Sequence, residues 1–366
     1  MAINRRQWLA GAAACSFAGS VSPALARSEP GLEEMISQML LLGFIGSGPD
    51  TTGAQQVAEH LSNRRVGGVL FLRHNVRSRE GAEGSAALFR EADPAAWMAI
   101  DQEGGLVQRL SRDLGYTSIP RASQVVEEYG LEGAEGLYAI GARELKAAGF
   151  NMNLAPVADV HEDGNAVIGR HGRAYGTDGE AISAYASRFI DAFNSEDVAC
   201  VIKHFPGHGR SRGDSHDGFV DITATWSESE LDPFARLIDS GHAKFVMGGH
   251  LTHQELDPTG VPVTFSRPVL TGILRERLGY KGVIMTDDLD MGAIRLHYDQ
   301  RSAVIQSIQA GNDVIMMSNS AAPNMDLPQQ FVSWVMQAIE AGDVLEDVIV
   351  QSYQRIMAAK ARFSLD

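Results

Sequence analysis

Three features of the sequence predict an α/β protein: one (β/α)8, TIM-like barrel whose active site lies at the C-terminal ends of its strands. Eight short apolar runs alternate with amphipathic stretches along the chain. The runs are continuously apolar rather than alternating, as parallel strands covered on both faces should be. Polar, chemistry-bearing residues end at least six of them, where a barrel would gather them at one mouth.

In order, Met39–Phe44 precedes a helical stretch near 52–62, and Val66–Leu72 precedes another near 80–91. Trp97–Ile100 ends at Asp101 and leads, after a loop, to a long helix over 122–148. Asn151–Ala155 ends at Pro156 and Asp159, with a helix near 179–194. Val198–Ile202 runs into Lys203 and His204, with a helix near 228–240. Lys244–Met247 ends at His250, with a helix near 268–278, and Gly282–Thr286 ends at Asp287 and Asp288, with a helix near 300–310. Asp313–Met317 ends at Ser318 and Asn319, before helices near 327–340 and 345–361. The alternative is an open doubly wound sheet. Against it, no G-x-G-x-x-G turn follows the first strand, and the polar ends do not cluster at one switch point.

The first residues stand apart. Arg5-Arg6 precede an apolar, alanine-rich run from Leu9 to about Val21, and Ala24-Leu25-Ala26 supplies a small-x-small cleavage site. This is the layout of a bacterial export signal of the twin-arginine type over residues 1–26, which leaves 27–366 as one barrel domain, exported to the periplasm or beyond. The rival is a membrane anchor, for which the apolar run falls short of the ~20 residues a spanning helix needs. Cys15 is a second candidate, for lipid attachment.

Removing 1–26 removes two arginines and no acid, taking the formal charge from −15 to −17. So acidic a chain is a poor partner for nucleic acid or anionic membrane surfaces. Only Cys200 remains after cleavage, so no internal disulfide forms. No proline- or serine-rich linker divides the chain, and a monomer is expected.

The densest chemistry is Lys203-His204-Phe205-Pro206-Gly207-His208-Gly209, followed by Asp214-Ser215-His216. A carboxylate two residues from an imidazole can hydrogen-bond it and raise its basicity, which suits Asp214 and His216 to general acid/base work. With a separate carboxylate nucleophile at another strand end, the set fits glycosyl transfer. The competing reading is a metal site on His208, Asp214 and His216, with His204 nearby, but the spacing matches no helical ligand pair. Neither metal nor cofactor is called for.

The stretch K-H-F-P-G-H-G-x4-D-S-H resembles the signature of bacterial β-N-acetylhexosaminidases of glycoside hydrolase family 3. Other blocks match in family order. Asp101-Gln102-Glu103-Gly104-Gly105 with Val107-Gln108-Arg109 looks like D-Q-E-G-G-x-V-Q-R. Asn153–Val160 looks like N-x-A-P-V-x-D-V, with Val167-Ile168-Gly169 following, and Gly282–Met291 is similar to G-V-I-x-[ST]-D-x-L-x-M.

That resemblance implies a retaining, exo-acting hydrolase of terminal β-linked N-acetylglucosamine on oligosaccharides or cell-wall fragments. By position, Asp287 matches the nucleophile, His216 the general acid/base and Asp214 its partner, while Asp288 matches a position the family does not require. Asp101, Arg109, Lys203 and His204 match residues that hold the terminal sugar. Arg173 aligns with the family's sugar-binding arginine, although two extra residues separate it from Ile168-Gly169 and make Arg170 an alternative. His250 is a further candidate against the sugar.

A histidine acid/base has an ordinary pKa near ~6.5, close to working pH, so it needs no burial and can ride on a glycine-rich loop; Gly207, Gly209 and Gly213 are read as giving that loop its freedom. A neutral base also repels anions less than a carboxylate would, which leaves a phosphorylase of the same family as the enzymatic alternative. A catalytically silent sugar-binding protein is the non-enzymatic one.

Overall fold

A computed structural model describes residues 30–214 and 218–363 of the chain. The leader read at 1–26, with Cys15, lies outside them, as does His216.

From Gly31 onward the chain forms eight parallel strands: β1 (Leu40–Gly43), β2 (Gly68–Phe71), β3 (Trp97–Ile100), β4 (Met152–Asn153), β5 (Ala199–Phe205), β6 (Phe245–Gly248), β7 (Val283–Thr286) and β8 (Ile315–Met317). Each falls in one of the eight apolar runs. Every residue in them is buried, because helices cover the outside and side chains fill the inside. Neighbours in sequence are neighbours in the sheet, and β1 pairs with β8, so that Leu41 faces Gly68 on one side and Met316 on the other. A parallel bridge from Met285 to Val314 brings β7 against β8 and closes the ring. That closure excludes the open sheet.

The helices follow the expected bounds closely, with side-chain caps where the sequence offers them. Ser78, Asp178 and Asp299 accept from backbone N–H groups at the starts of Arg79–Ala92, Gly179–Asn194 and Gln300–Ala310. The helix expected over 122–148 is two, Ala122–Glu128 and Gly130–Ala147, broken where Gly130 takes φ +63°. The stretch 228–240 opens with a 3₁₀ turn, Glu228–Leu231, before Asp232–Asp239, and Pro268–Arg277 is wound as a π-helix.

At the N-terminal end of the barrel, buried Asp313 accepts from Ser352 and Arg355 and pairs with Arg275, while Lys360 reaches Gln38 and the Gly67 carbonyl. These contacts fasten the C-terminal helix Glu346–Arg362 and leave the other end to the chemistry. Among the described residues no helix is long and apolar enough to cross a membrane.

Candidate active site

The C-terminal ends of the strands surround a cavity of about 310 Å³, lined among others by Asp101, Glu103, Arg109, Arg173, Lys203, His204, His208, Asp287 and Asp288. Residues from seven of the eight strands or the loops after them, β2 to β8, meet there.

Asp101 follows β3 directly. A short hairpin, Gln102–Gly104 against Val107–Gln108, turns the chain back so that the Arg109 backbone N–H donates to the Asp101 carbonyl at 3.3 Å and to Gln102 Oε1 at 2.9 Å. Arg109 Nη2 then donates to Asp101 Oδ2 at 2.9 Å. Lys203, buried at the end of β5, gives Nζ contacts of 2.9 Å to Asp101 Oδ1 and 2.8 Å to Glu103 Oε1. Glu103 in turn takes both arms of Arg173, at 2.8 Å and 2.7 Å. Two carboxylates and three cations thus form one network.

Burial alone would push these carboxyls up. Lys203 and Arg109 outweigh it and hold Asp101 well below the ordinary carboxylate range, while Arg173 and Lys203 bring Glu103 down to about 2. Lys203, which burial would lower, is held above its ordinary value by Asp101 and Glu103. The network is therefore fully charged at neutral pH.

Arg173 reaches the cavity because its loop is stapled. Asn165 Nδ2 donates to the carbonyls of His208 (2.8 Å) and Ser211 (3.1 Å), and its Oδ1 accepts from the backbone N–H groups of Val167, Ile168 and Gly169. Val157, Val167, Ile168 and Ala174 pack as a small apolar cluster beside it. Arg170, the alternative by alignment, is exposed and lines no part of this cavity. The two extra residues fall within this turn, and of the two candidates Arg173 is the one that lines the cavity.

His204 is fixed by Asp159, which is fully buried. Its Nδ1–H donates to Asp159 Oδ2 at 2.7 Å, and Asp159 Oδ1 accepts the backbone N–H groups of His204 (3.2 Å) and His208 (2.8 Å). Burial is again outweighed, here by His204 and His208, and Asp159 stays ionised. His208 places Nδ1 at 2.5 Å from Ser211 Oγ. Burial first, then His204, lowers its pKa to about 4, so it is neutral at working pH. Among the described residues no three His, Cys, Asp or Glu side chains converge as metal ligands would.

The loop after β5 is less free than its glycines suggest. Gly207 takes φ +125°, and a Cβ there would press on the Glu230 side chain; at Gly209 it would strike the Val160 carbonyl. Glu230 Oε2 accepts from the Gly209 backbone N–H at 3.1 Å. These glycines permit close packing through residue 209. Asp214, half-buried, ends the described part of the loop.

Asp287 follows β7. Its Oδ1 accepts the Asp288 backbone N–H at 2.8 Å. Burial raises its pKa, but His250, His204, that backbone N–H and Lys203 together lower it, so Asp287 is an anion. Asp288 differs: burial lifts it to about 6, although it accepts from the backbone N–H groups of Ser318 (2.8 Å) and Asp290 (3.0 Å). The environments separate two adjacent carboxyls, with the lower pKa on the one suited to attack.

His250 stands behind the cavity wall. It is fully buried, with Nδ1 at 2.7 Å from Thr264 Oγ1 and Nε2 at 2.9 Å from the Asp288 carbonyl, and it does not line the cavity. Through the Asp288 carbonyl it supports the loop that carries Asp287 and Asp288.

Two cavity residues hold buried polar atoms with no partner among the described residues: Arg109 Nε, a donor, and His208 Nε2. Such atoms cost free energy unless a ligand satisfies them. A small cavity offering fixed charges and open hydrogen-bonding atoms suits a polyhydroxylated molecule.

Residues 31–359 match the family described as the N-terminal domain of glycosyl hydrolase family 3. The chain belongs to glycosyl hydrolase family 3. Among family 3 relatives it is 34% identical, over 296 residues covering 78% of this chain and 85% of the other, to a beta-hexosaminidase of Xylella fastidiosa. It is 29% identical to beta-hexosaminidase A of Pseudoalteromonas piscicida, covering 85% of this chain and 56% of that protein. A glycoside hydrolase family 3 beta-N-acetylglucosaminidase from Paenibacillus superposes with TM-score 0.80 at 31% identity, over 91% of this chain and 63% of that one. A beta-N-acetylhexosaminidase from Beutenbergia cavernae gives TM-score 0.80 at 27% identity, over 91% and 99%. The chain thus spans about three-fifths of some family 3 relatives and nearly all of others. The family resemblance and the barrel expected from the sequence are both borne out.

Two site residues were missing from the sequence-based set. Glu103 was quoted within its motif without a role, and Asp159 was noted only as a strand end. The Asp101-x-Glu103 spacing was the available signal for the first, because residues two apart on an extended chain point the same way.

Proposed function

We propose that the chain hydrolyses terminal β-linked N-acetylglucosamine from oligosaccharides, with retention of configuration. The observation that carries this reading is the shared cavity, where ionised Asp287 faces the same small space as the Asp101–Lys203–Glu103–Arg173 network. At about 310 Å³ that space is near the lower end of the ~300–1,000 Å³ of ligand sites, which suits one terminal sugar. The name of the Xylella relative points to a hexosamine, and that of the Paenibacillus relative to the N-acetylated sugar.

In the first half-reaction an Asp287 oxygen bonds to the anomeric carbon as the glycosidic C–O bond breaks. Protonated His216, partnered by Asp214, gives its proton to the departing oxygen. In the second, neutral His216 takes a proton from water as that water's oxygen bonds to the anomeric carbon and displaces Asp287. Asp101, Arg109, Lys203, His204 and Arg173 hold and orient the sugar meanwhile. On the leader read at 1–26, we place this activity outside the cytoplasm, on cell-wall or chitin-derived fragments.

The test is nitrophenol release by the mature protein from its β-N-acetylglucosaminide and its β-glucoside, with and without phosphate and a chelator. Turnover of the first substrate, indifferent to both additions, supports the reading. Formation of a sugar 1-phosphate makes the chain a phosphorylase, preference for the glucoside changes the substrate, and no turnover of either overturns the proposal.

A further inference from the structure

Outside the active site, the same face of the barrel carries a second cavity of about 470 Å³. It lies between the loop after β1, the loop after β8 and the helix Thr52–Ser62, and it shares no lining residue with the catalytic cavity. Its walls are mainly apolar, with Leu42, Phe44, Val57, Pro323 and Met325, while Thr51, Asn319 and Asn324 also line it with their side-chain hydrogen bonds made to neighbouring residues. At its rim Ile45 and Met325 remain 45% and 43% exposed, large apolar side chains left open to water.

One wall differs. Gln56 and His60 stand one helical turn apart and both line the cavity. Gln56 Oε1 and His60 Nδ1 are buried and have no hydrogen-bond partner among the described residues, and His60 is only 8% exposed. The Met325 backbone acts on the ring as an acceptor would while Nδ1 has no partner, which favours the neutral tautomer with its proton on Nε2 and a lone pair on Nδ1. Burial favours that neutral form.

Two acceptors without donors, in a space whose lining is otherwise mainly apolar, make it selective for a ligand that brings donors. A water bridging the two acceptors would answer that wall alone and leave Leu42, Phe44 and Val57 uncovered. A bare sugar is equally unsuited, since most of its hydroxyls would face hydrocarbon.

We propose that this cavity binds a small molecule with an aromatic or similarly apolar body that presents hydroxyl or amide N–H donors to Gln56 Oε1 and His60 Nδ1. The apolar body covers Leu42, Phe44 and Val57 and draws in Ile45 and Met325, while the donors fix its orientation. This ligand class is distinct from the carbohydrate of the active site, and the proposal stands independently of the catalytic reading.

The test uses matched probes, naphthol and its methyl ether, titrated calorimetrically into the mature protein. They share an aromatic body, and only naphthol carries a donor. Naphthol is expected to bind at least several-fold more tightly than the ether. Gln56→Leu should narrow that preference. Thr52→Trp, placed at an exposed lining position where folding is not at risk, should weaken both probes tenfold or more. Circular dichroism confirms that each variant is folded. Failure of both probes to bind, equal affinity for the two, or unchanged naphthol binding by folded Thr52→Trp would overturn the site.

Discussion

Glu103 and Arg173, seventy residues apart in sequence, meet through two parallel hydrogen bonds of 2.8 Å and 2.7 Å at the cavity wall. Lys203 lies 2.8 Å from the same carboxylate, so Glu103 holds two cations in place. Removing its charge leaves both buried and undercompensated. Glu103→Gln is expected to cost about 3 kcal/mol in stability, and to lower kcat/KM at least tenfold because Arg173 and Lys203 lose their orientation. Chemical denaturation and steady-state kinetics on the nitrophenyl substrate check the two effects separately.

The choice between the two arginines is directly testable. Arg173 is buried against Glu103, whereas Arg170 points to solvent. Arg173→Lys keeps the charge but loses the fork, and should reduce kcat/KM about 10–100-fold. Arg170→Ala should stay within about twofold of the wild type, as surface changes away from such contacts usually do. The reverse order of effects would return the role to Arg170.

How far the sequence could go is visible in these residues. Mostly apolar runs located all eight strands, because burial on both faces favours that composition; polar exceptions such as Asn153 in β4 and Lys203 and His204 in β5 are buried with hydrogen-bond or ion-pair partners. Lys203, His204 and Asp287 stood out in the sequence because each lies within two residues of the end of such a run. Glu103 was not, since the pairing that gives it a role depends on a partner brought in by a different loop. His250 shows the opposite limit. It follows its strand as the others do, yet Thr264 and the Asp288 carbonyl supply its hydrogen bonds from behind, and no sequence pattern reports which side a ring turns to. Gly207 and Gly209 read as freedom and serve close packing, because composition alone does not distinguish the two uses of glycine.

Stability should fall on both sides of a mildly acidic optimum. Asp101, Glu103, Asp159 and Asp287 have lowered folded-state pKa values, so their contribution is present above about pH 4.5 and is lost as pH falls below that. Glu230 has the opposite sign. Burial, with Asp159 adding to it, lifts its carboxyl from 4.5 to about 7, so the native state holds its proton more tightly than the unfolded chain. Its contribution is complete below pH 4.5 and is lost as pH rises through 7. Glu230→Gln mimics the protonated form, and should raise stability at pH 8 by up to ~3 kcal/mol while changing little at pH 4.5. Urea titrations of both proteins across pH 4–8 check this; parallel curves would remove Glu230 as the source.

Asp287 and Asp288 are adjacent carboxyls that the fold treats differently, and substitution should separate them. Asp287 is held as an anion facing the cavity, and its conversion to Asn removes the proposed attacking oxygen while keeping the shape and the acceptor for the Asp288 backbone N–H. The expected loss in kcat is roughly 10³-fold or more, with the fold intact. Asp288 is tied to the backbone of Ser318 and Asp290 and carries a raised pKa of about 6. Its Oδ1 ties the loop after β8 to the loop after β7, so Asp288→Asn, which retains one acceptor oxygen, should cost about 1–2 kcal/mol of stability and lower kcat less than about tenfold. The decisive measurement is single-turnover kinetics with a substrate whose leaving group departs readily. A burst of nitrophenol from Asp288→Asn and none from Asp287→Asn assigns attack to Asp287. The converse pattern would move the nucleophile one residue along the chain and leave Asp287 as its electrostatic neighbour.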